Sequence, residues 1–330
     1  MLEHGGRLRQ AAQQYGIELA QWLDLSTGIA PYGWELPAIP HAAWNRLPEL
    51  DDGLEAAARD YYGVPALLPV AGSQAAIQAL PRLRRNLQVG IVSPAYAEHA
   101  EAWRREGHRL IELSEGSVGR ALDRLDVLVV INPSNPTGRC IDKQLLLEWH
   151  ARLAERGGWL VVDEAFVDCT PQESLASDSP QPGLIVLRSF GKFFGLAGIR
   201  LGFVIAEQSL LQRLDELLGP WAVSGPARVV ATALLQDQPG QQRQRQRLQA
   251  DGLRLAILLS RYGHPPAGGT ALFQLVLSPR AADVHAFFAQ RGILARRITN
   301  PSGLRFGLPG DEAQWQRLEQ ALRELAEAGA

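Results

Sequence analysis

The feature that most constrains the fold is a series of seven short apolar segments that alternate with helix-like segments. The candidate strands are LLPVAG (67–72), QVGIVS (88–93), HRLIEL (108–113), DVLVVIN (126–132), GWLVVDE (158–164), GLIVLRSF (183–190) and LGFVIA (201–206). Strands that are apolar throughout are typical of a sheet covered on both faces, and helices between them indicate parallel crossovers. The pattern predicts an α/β fold built on a mainly parallel sheet.

The last third of the chain follows a different pattern, typical of a smaller α+β domain. It predicts a polar helix, a strand and a second helix, at 240–262, 271–278 and 281–291. A final helix is expected to open at Asp311, with Gln314 three residues later, an arrangement close to a capping box. We therefore expect an N-terminal arm and linker (1–45) packed with the small domain, a large domain (46–238) and a small C-terminal domain (239–330).

The composition excludes several classes of function. Apolar residues make up 46% of the chain and the net charge is −2, which is ordinary for a globular protein and argues against a nucleic-acid partner. Cys140 and Cys169 form no CxxC pair, and the seven histidines show no metal-ligand spacing, so we expect no metal site. No apolar run is long enough for a membrane span, and MLEHGGRLRQ lacks a signal-peptide core. These observations predict a cytoplasmic protein.

Lysine is rare in this chain, and its placement is informative. Of 33 basic residues only two are lysines, Lys143 and Lys192. Arginine cannot replace lysine where chemistry needs an uncharged amine. Lys143 is expected on the exposed first turn of a helix, whereas Lys192 lies among Phe, Gly and Leu in RSFGKFFGLAGIR. We therefore interpret Lys192 as an amine that reacts with an aldehyde.

Two other segments supply groups that suit the same aldehyde cofactor. GWLVVDEAF places Asp163 at the carboxyl end of a buried strand, where it needs a cationic partner such as a protonated pyridine nitrogen. INPSNPTGR holds an asparagine amide in a rigid turn after another strand. Amine, acid, amide donor and an anion-binding turn together indicate pyridoxal phosphate. The turn is AGSQAAI, in which Gly72, Ser73 and Gln74 open a helix, and Tyr96 in SPAYAEH is a candidate to stack on the ring.

In order and spacing these motifs resemble the fold type I pyridoxal-phosphate enzymes of aminotransferase class I/II. The DEAF aspartate lies 28 residues after the NPTG asparagine, the lysine 29 residues further, and an arginine eight residues after the lysine. The resemblance implies a homodimer in which Lys192 binds the cofactor covalently and Asp163 holds the pyridinium. It also implies that Asn135 donates to the ring oxygen, and that Ser189 and Arg200 complete the phosphate site.

Within this family the chain resembles most the histidinol-phosphate aminotransferases and the threonine-phosphate decarboxylases of cobalamin synthesis, which both take phosphorylated substrates. The resemblance implies that Arg305 in SGLRFGLPG binds the substrate α-carboxylate, and that Arg296 and His4 bind the substrate phosphate. The HGG start and the DEAF motif, with Phe166 in place of a common tyrosine, favour decarboxylation of L-threonine O-3-phosphate. Transamination of histidinol phosphate stays open as the alternative.

Leu47 stands where aminotransferases often carry a tyrosine that reaches the cofactor phosphate of the partner subunit. The resemblance therefore implies that this contact is lost or replaced here.

Overall fold

The computed structural model describes residues 5–328, and their contacts divide the chain into two compact units. The smaller unit comprises residues 1–33, 136–139 and 245–330, and the larger comprises 34–135 and 140–244. The domain limits predicted from the sequence, 45 and 238, stay a prediction. No helix within 5–328 is long and apolar enough to cross a membrane.

The described residues form strands that fall into two sheets. These are β1 (Leu23–Leu25), β2 (Leu68–Val70), β3 (Gln88–Val92), β4 (Arg109–Leu113), β5 (Val127–Ile131), β6 (Trp159–Asp163), β7 (Leu184–Ser189), β8 (Gly202–Ile205), β9 (Gly268–Thr270), β10 (Phe273–Leu277), β11 (Ile293–Ile298) and β12 (Gly303–Gly307).

Helices connect and cover these strands. These are α1 (Leu8–Tyr15), α2 (Ala42–Asn45), α3 (Leu54–Tyr62), α4 (Ser73–Ala79), α5 (Ala97–Arg105), α6 (Glu115–Ala121), α7 (Lys143–Ala154), α8 (Phe190–Phe193), α9 (Gln208–Leu218), α10 (Gly225–Gln236), α11 (Gln238–Arg261), α12 (Ala281–Gln290) and α13 (Glu312–Glu327).

The larger unit is built on a seven-stranded sheet in the order β2-β8-β7-β6-β5-β3-β4. The neighbouring pairs β4-β3, β3-β5, β5-β6 and β6-β7 are parallel, while β8 is antiparallel to both β7 and β2. Each of the seven predicted strands is present, and each is one to three residues shorter than the predicted segment. The predicted α/β class with a mainly parallel, mixed sheet is confirmed.

The core of the larger unit lies on both faces of this sheet, which explains why its strands are apolar throughout. Residues of β5, β6 and β7 such as Val129, Val161 and Leu187 pack against α4, α5 and α9 on one face. The alternate residues, such as Val162 and Val186, are equally buried on the other face. Successive side chains of a strand point to opposite faces, so both sets must be apolar.

The smaller unit contains a five-stranded sheet in the order β1-β11-β12-β10-β9. β10 pairs antiparallel with β9 and β12, and β12 pairs antiparallel with β11. β1, in the segment expected to be an arm and linker, pairs in parallel with β11. The sequence therefore predicted β10 and the helices α11, α12 and α13, but it missed α1, β1, β9, β11 and β12.

Side-chain caps fix the starts of three helices. Asp142 accepts from the backbone N–H groups of Gln144 and Leu145 at the start of α7, and Ser224 accepts from Ala227 at the start of α10. Asp311 accepts from the Gln314 N–H at the start of α13, as the sequence pattern predicts. In a capping box the side chain at the position of Gln314 accepts from the N–H of the capping residue, here Asp311. Gln314 Oε1 instead accepts from the N–H of the preceding residue, Gly310, at 2.8 Å.

Candidate active site

All nine predicted cofactor residues lie on the side of the seven-stranded sheet where the parallel strands have their carboxyl ends. Ligands of open α/β sheets bind at these strand ends. The residues are distributed as follows: Gly72, Ser73 and Gln74 after β2; Tyr96 after β3; Asn135 after β5; Asp163 at the end of β6; Ser189 at the end of β7; Lys192 on α8; and Arg200 before β8.

Gly202 brings the anion-binding turn against the end of β7. A Cβ at this position would lie 2.5 Å from the Ser73 nitrogen and 2.7 Å from the Arg188 carbonyl oxygen, so only glycine fits. Gly72 has a left-handed backbone (φ 75°), and a Cβ there would meet Arg200 Nη2 at 2.5 Å. The Arg200 guanidinium therefore lies directly over the turn and adds positive charge to its N–H groups.

The side chain of Gln74 supports the turn rather than entering it. Its Nε2 donates to Glu98 at 3.0 Å, and its Oε1 accepts from the Tyr96 hydroxyl at 3.3 Å. Ser73 and Gln74 thus offer an anion their backbone N–H groups at the start of α4. The bond to Gln74 also fixes the ring of Tyr96.

Asp163 is a buried carboxylate whose partner is a histidine. Its side chain is 4% exposed, and its Oδ2 lies 2.8 Å from Nε2 of the equally buried His99 on α5. Its Oδ1 accepts from the Ala165 N–H at 3.1 Å. Asp163 forms no ion pair with an arginine or lysine of the part of the chain that the structure describes.

The two neighbouring acids are neutralised separately by Arg188. Its Nη1 lies 3.1 Å from Glu164 Oε2 and its Nη2 lies 2.5 Å from Asp168 Oδ1, all within the core. Burial opposes the charge on Arg188, but the carboxylates of Asp168 and Glu164 outweigh it and raise the pKa of the guanidinium. Burial raises the pKa of Glu164 although Arg188 favours its ionised form. The Tyr61 hydroxyl completes the cluster by donating to Asp168.

Lys192 is half-buried on α8 and points toward the segment that follows β6. Its Nζ lies 5.8 Å from the ring centroid of Phe166, three residues after Asp163. Gly191 allows the tight fold of this loop, because a Cβ there would lie 2.7 Å from Ala197 Cα. The amine is therefore held beside an aromatic ring in the segment that follows Asp163.

The loop that carries Asn135 is fastened at both ends. The Asn132 side chain accepts from the Ile141 N–H at 2.7 Å and donates to the Ile141 carbonyl oxygen at 3.2 Å. These bonds close the loop between β5 and α7, so the half-buried Asn135 within it has a defined position.

The predicted substrate arginines lie on adjacent strands of the smaller unit. Arg296 on β11 and Arg305 on β12 are directly opposite each other. Arg305 is buried and donates to the Ser26 carbonyl oxygen at 2.9 Å. Burial, and the neighbouring Arg296, lower the pKa of Arg305 to about 9. A bound anion would relieve this repulsion. His4 lies outside the described residues.

The residues of the larger unit fit pyridoxal phosphate. A buried carboxylate that is paired with no arginine or lysine of the described residues suits a pyridinium, a half-buried amine suits the aldehyde, and the Gly72–Gln74 turn with Arg200 suits the phosphate. His99 was not predicted from the sequence, because nothing in the helix AEHAEAWRR indicates that its histidine meets a carboxylate 64 positions away.

The chain resembles known proteins over nearly its full length. The family described as Aminotransferase class I and II matches residues 22–322. The chain is 63% identical to threonine-phosphate decarboxylase of Pseudomonas aeruginosa, over 98% of this chain and 97% of that protein. It is 44% identical to threonine-phosphate decarboxylase of a Sinorhizobium species, over 98% of both chains. Among solved structures it is similar to histidinol-phosphate aminotransferase of Sinorhizobium meliloti in complex with pyridoxal-5'-phosphate, with a TM-score of 0.84, 20% identity and coverage of 100% of this chain and 96% of that one.

Proposed function

Because the chain belongs to the class I and II aminotransferase family, we propose that it is a pyridoxal-phosphate-dependent decarboxylase. It converts L-threonine O-3-phosphate into (R)-1-amino-2-propanol O-2-phosphate and CO₂. One observation carries the cofactor chemistry: among the described residues, buried Asp163 pairs with His99 and a backbone N–H but with no arginine or lysine, so a pyridinium would supply a cation for it. The substrate follows from the names of the two similar relatives.

When bound, pyridoxal phosphate supplies a ring that accepts the electron pair released when a bond at the substrate Cα breaks. The residues of the chain set the conditions for this. Asp163 keeps a proton on the ring nitrogen, and His99 fixes the orientation of that carboxylate. Lys192 would provide the amine that holds the aldehyde, and it would supply a proton to the substrate Cα. Asn135 donates to the ring oxygen.

Binding groups decide which bond at Cα breaks. With the cofactor bound, a decarboxylase would have to hold the substrate so that the bond between Cα and the carboxylate, rather than the Cα–H bond, is the one that is weakened. We propose that Arg305 binds this carboxylate and that Arg296, with His4, binds the substrate phosphate. Two anchors at opposite ends of a small substrate fix the rotation about its N–Cα bond.

The reaction is tested by incubating the holoenzyme with L-threonine O-3-phosphate and measuring CO₂. Release of CO₂ without 2-oxoglutarate is expected. The alternative, transamination of histidinol phosphate, would require 2-oxoglutarate and would release no CO₂. Turnover of histidinol phosphate with no CO₂ from threonine phosphate would overturn the proposal.

The role of Lys192 is tested with the other lysine as the control. Borohydride reduction of the holoenzyme should attach the cofactor to the peptide that contains residue 192. Lys192→Ala should abolish this adduct. Lys143→Ala should retain it, because Lys143 is ion-paired with Asp178 at 2.7 Å. An adduct that survives in Lys192→Ala would refute the assignment.

We also propose that the protein is a homodimer. The larger unit exposes an apolar surface that we call the tryptophan surface, formed by Trp44, Leu47, Leu50 and Trp221, which are between 59% and 76% exposed. Two open grooves of about 660 and 750 Å³ adjoin it. Contiguous exposed aromatic and aliphatic side chains are typical of protein interfaces. Leu47, which replaces the tyrosine that often reaches the partner subunit, belongs to this surface.

Three further parts of the proposal rest on the resemblance. These are a place in cobalamin biosynthesis, a cytoplasmic location, and the assignment of residues 46–238 and 239–330 as cofactor-binding and small domains.

A further inference from the structure

α11 begins with a polar segment in which two glutamines are buried. The segment QQRQRQR (241–247) has the composition of a solvated helix face, yet Gln241 is 5% exposed and Gln244 is 8% exposed. The two residues are three positions apart, so their side chains lie on the same side of the helix. Burying a carboxamide costs free energy unless it is hydrogen-bonded, so each of these side chains needs a partner.

Each of the two glutamines donates to the carboxyl end of a different helix. Gln241 Nε2 donates to two carbonyl oxygens in the last turn of α10, at 2.8 and 2.9 Å. Gln244 Nε2 donates to the carbonyl oxygen of Phe193, the last residue of α8, at 3.0 Å. The last carbonyl groups of a helix have no partner within that helix, so donors from elsewhere stabilise them. The bond of Gln244 concerns the candidate active site, because α8 carries Lys192.

α8 depends on such contacts because it has only four residues. A helix of one turn is not stable in water by itself, so its surroundings set its position. Its rings are packed in the core: the Phe190 ring stacks on the Phe194 ring with the centroids 4.2 Å apart, and the Phe193 ring meets Phe194 edge-on at 5.0 Å. Apolar burial is not directional, whereas a hydrogen bond is. The bond from Gln244 therefore fixes the orientation of the helix as well as its position.

This bond acts on the backbone next to the lysine. The Lys192 carbonyl oxygen accepts from the Gly195 N–H at 3.3 Å, and the next carbonyl along the chain accepts from Gln244. Two successive carbonyl groups of α8 are thus held, one by the loop that follows α8 and one by α11. A rotation of α8 about its axis would swing the long Lys192 side chain away from the Phe166 ring, whose centroid lies 5.8 Å from Nζ.

We propose that Gln244 is a positioning residue for Lys192, because it fixes the backbone from which the reactive amine projects. The inference rests on the proposed role of Lys192 as the amine that holds the cofactor aldehyde. Gln244 acts through the backbone of Phe193, so it is not itself a catalytic residue. Without its bond the amine spends less time in the reactive position, and the covalent bond to pyridoxal phosphate forms more slowly.

The test compares two variants of α11. Gln244→Met removes the amide donor and keeps an unbranched side chain, and Gln241→Met makes the same change where the bonds lead to α10. The full chain, freed of cofactor, is mixed with pyridoxal phosphate, and the adduct at residue 192 is trapped with borohydride at successive times and measured by mass spectrometry. We expect Gln244→Met to slow adduct formation about tenfold, the effect of removing one donor from a buried acceptor. Gln241→Met should form the adduct at the wild-type rate.

Hydrogen exchange measured by mass spectrometry is a second readout, and it needs no cofactor. In Gln244→Met the backbone amides of residues 190–195 should exchange about tenfold faster than in wild type. In Gln241→Met the faster exchange should be confined to the end of α10. Melting temperatures measure the general loss of stability, which both variants should share because each buries a carbonyl group without its amide donor.

A wild-type rate of adduct formation in Gln244→Met, or equal slowing in Gln241→Met, would overturn the inference. If Gln244→Met does not fold, Gln244→Asn decides in its place: it keeps the amide but is one methylene shorter, so it should also slow adduct formation. A wild-type protein that forms no adduct at residue 192 would instead refute the role of Lys192. The trapping needs no turnover, so its result holds even if no CO₂ is released from threonine phosphate.

Discussion

A single methyl group at Gly202 tests the phosphate-binding turn. In Gly202→Ala the new Cβ would lie 2.5 Å from the Ser73 nitrogen, roughly 0.9 Å short of the 3.4 Å at which ordinary contact begins. It would also lie 2.7 Å from the Arg188 carbonyl oxygen. Both neighbours are backbone atoms, so no change of rotamer can relieve the overlap. The turn, the end of β7, or both must move.

This displacement has two measurable consequences. Overpacking in a well-packed region lowers the free energy of unfolding by about 1–3 kcal/mol. A turn that moves by several tenths of an ångström also misaligns the Ser73 N–H with the cofactor phosphate. A hydrogen bond to a charged group contributes about 1.5–3 kcal/mol, so the dissociation constant for pyridoxal phosphate should rise about tenfold or more.

The assay is fluorescence titration of the cofactor-free protein with pyridoxal phosphate, accompanied by calorimetric unfolding. Gly198→Ala is the matched control, since it lies four residues before Gly202 and a Cβ there meets nothing within 4 Å. We expect the control to bind the cofactor like wild type. Wild-type affinity in Gly202→Ala, or equal weakening in both variants, would show that this close approach does not shape the phosphate site.

Three further predictions concern other parts of the larger unit. His99→Phe should lower kcat about tenfold or more, because it removes the 2.8 Å contact with Asp163 at the end of β6. The control His150→Phe removes a bond to a backbone oxygen and should leave kcat unchanged in the same assay. Arg188→Met should lower the free energy of unfolding by about 3–5 kcal/mol in denaturant titration, because two carboxylates stay buried without their cation; a loss below 1 kcal/mol would contradict this. Trp44→Gln with Trp221→Gln should shift the protein toward monomer in sedimentation velocity, and an unaltered dimer would place the interface elsewhere.

The sequence predicted the larger sheet well because burial on both faces imposes continuous apolar segments. Of the strands of the smaller sheet, only β10 within the described residues gave such a signal. β11 contains Arg296 and Arg297, and β12 contains Arg305, so the residues proposed to bind the substrate interrupt the apolar pattern. β1 has only three residues and forms a strand because it pairs with β11, whose residues lie 270 positions later in the sequence. A local sequence pattern cannot indicate a pairing over such a distance.

The proposed cofactor site was accessible from sequence for a related reason. Its residues follow recognisable strands at fixed spacings, and Lys192 stands out because the chain uses arginine almost everywhere else. His99 was not accessible, because its partner Asp163 lies 64 residues away. In sequence, AEHAEAWRR is an ordinary amphipathic helix, and only the fold shows that its histidine meets a carboxylate.

The alternation of side chains along β6 and β7 explains how two adjacent acids take different roles. Asp163 pairs with Leu187 in register, so Asp163 and Ser189 share one face of the sheet, while Glu164 and Arg188 share the other. Arg188 therefore neutralises Glu164 on its own face and cannot turn to Asp163 without crossing the sheet. If Asp163 had Arg188 as its partner, its charge would already be balanced and a pyridinium would gain little from it. The Asp-Glu pair thus provides one anion that anchors the core and one that stays available to a cationic ring.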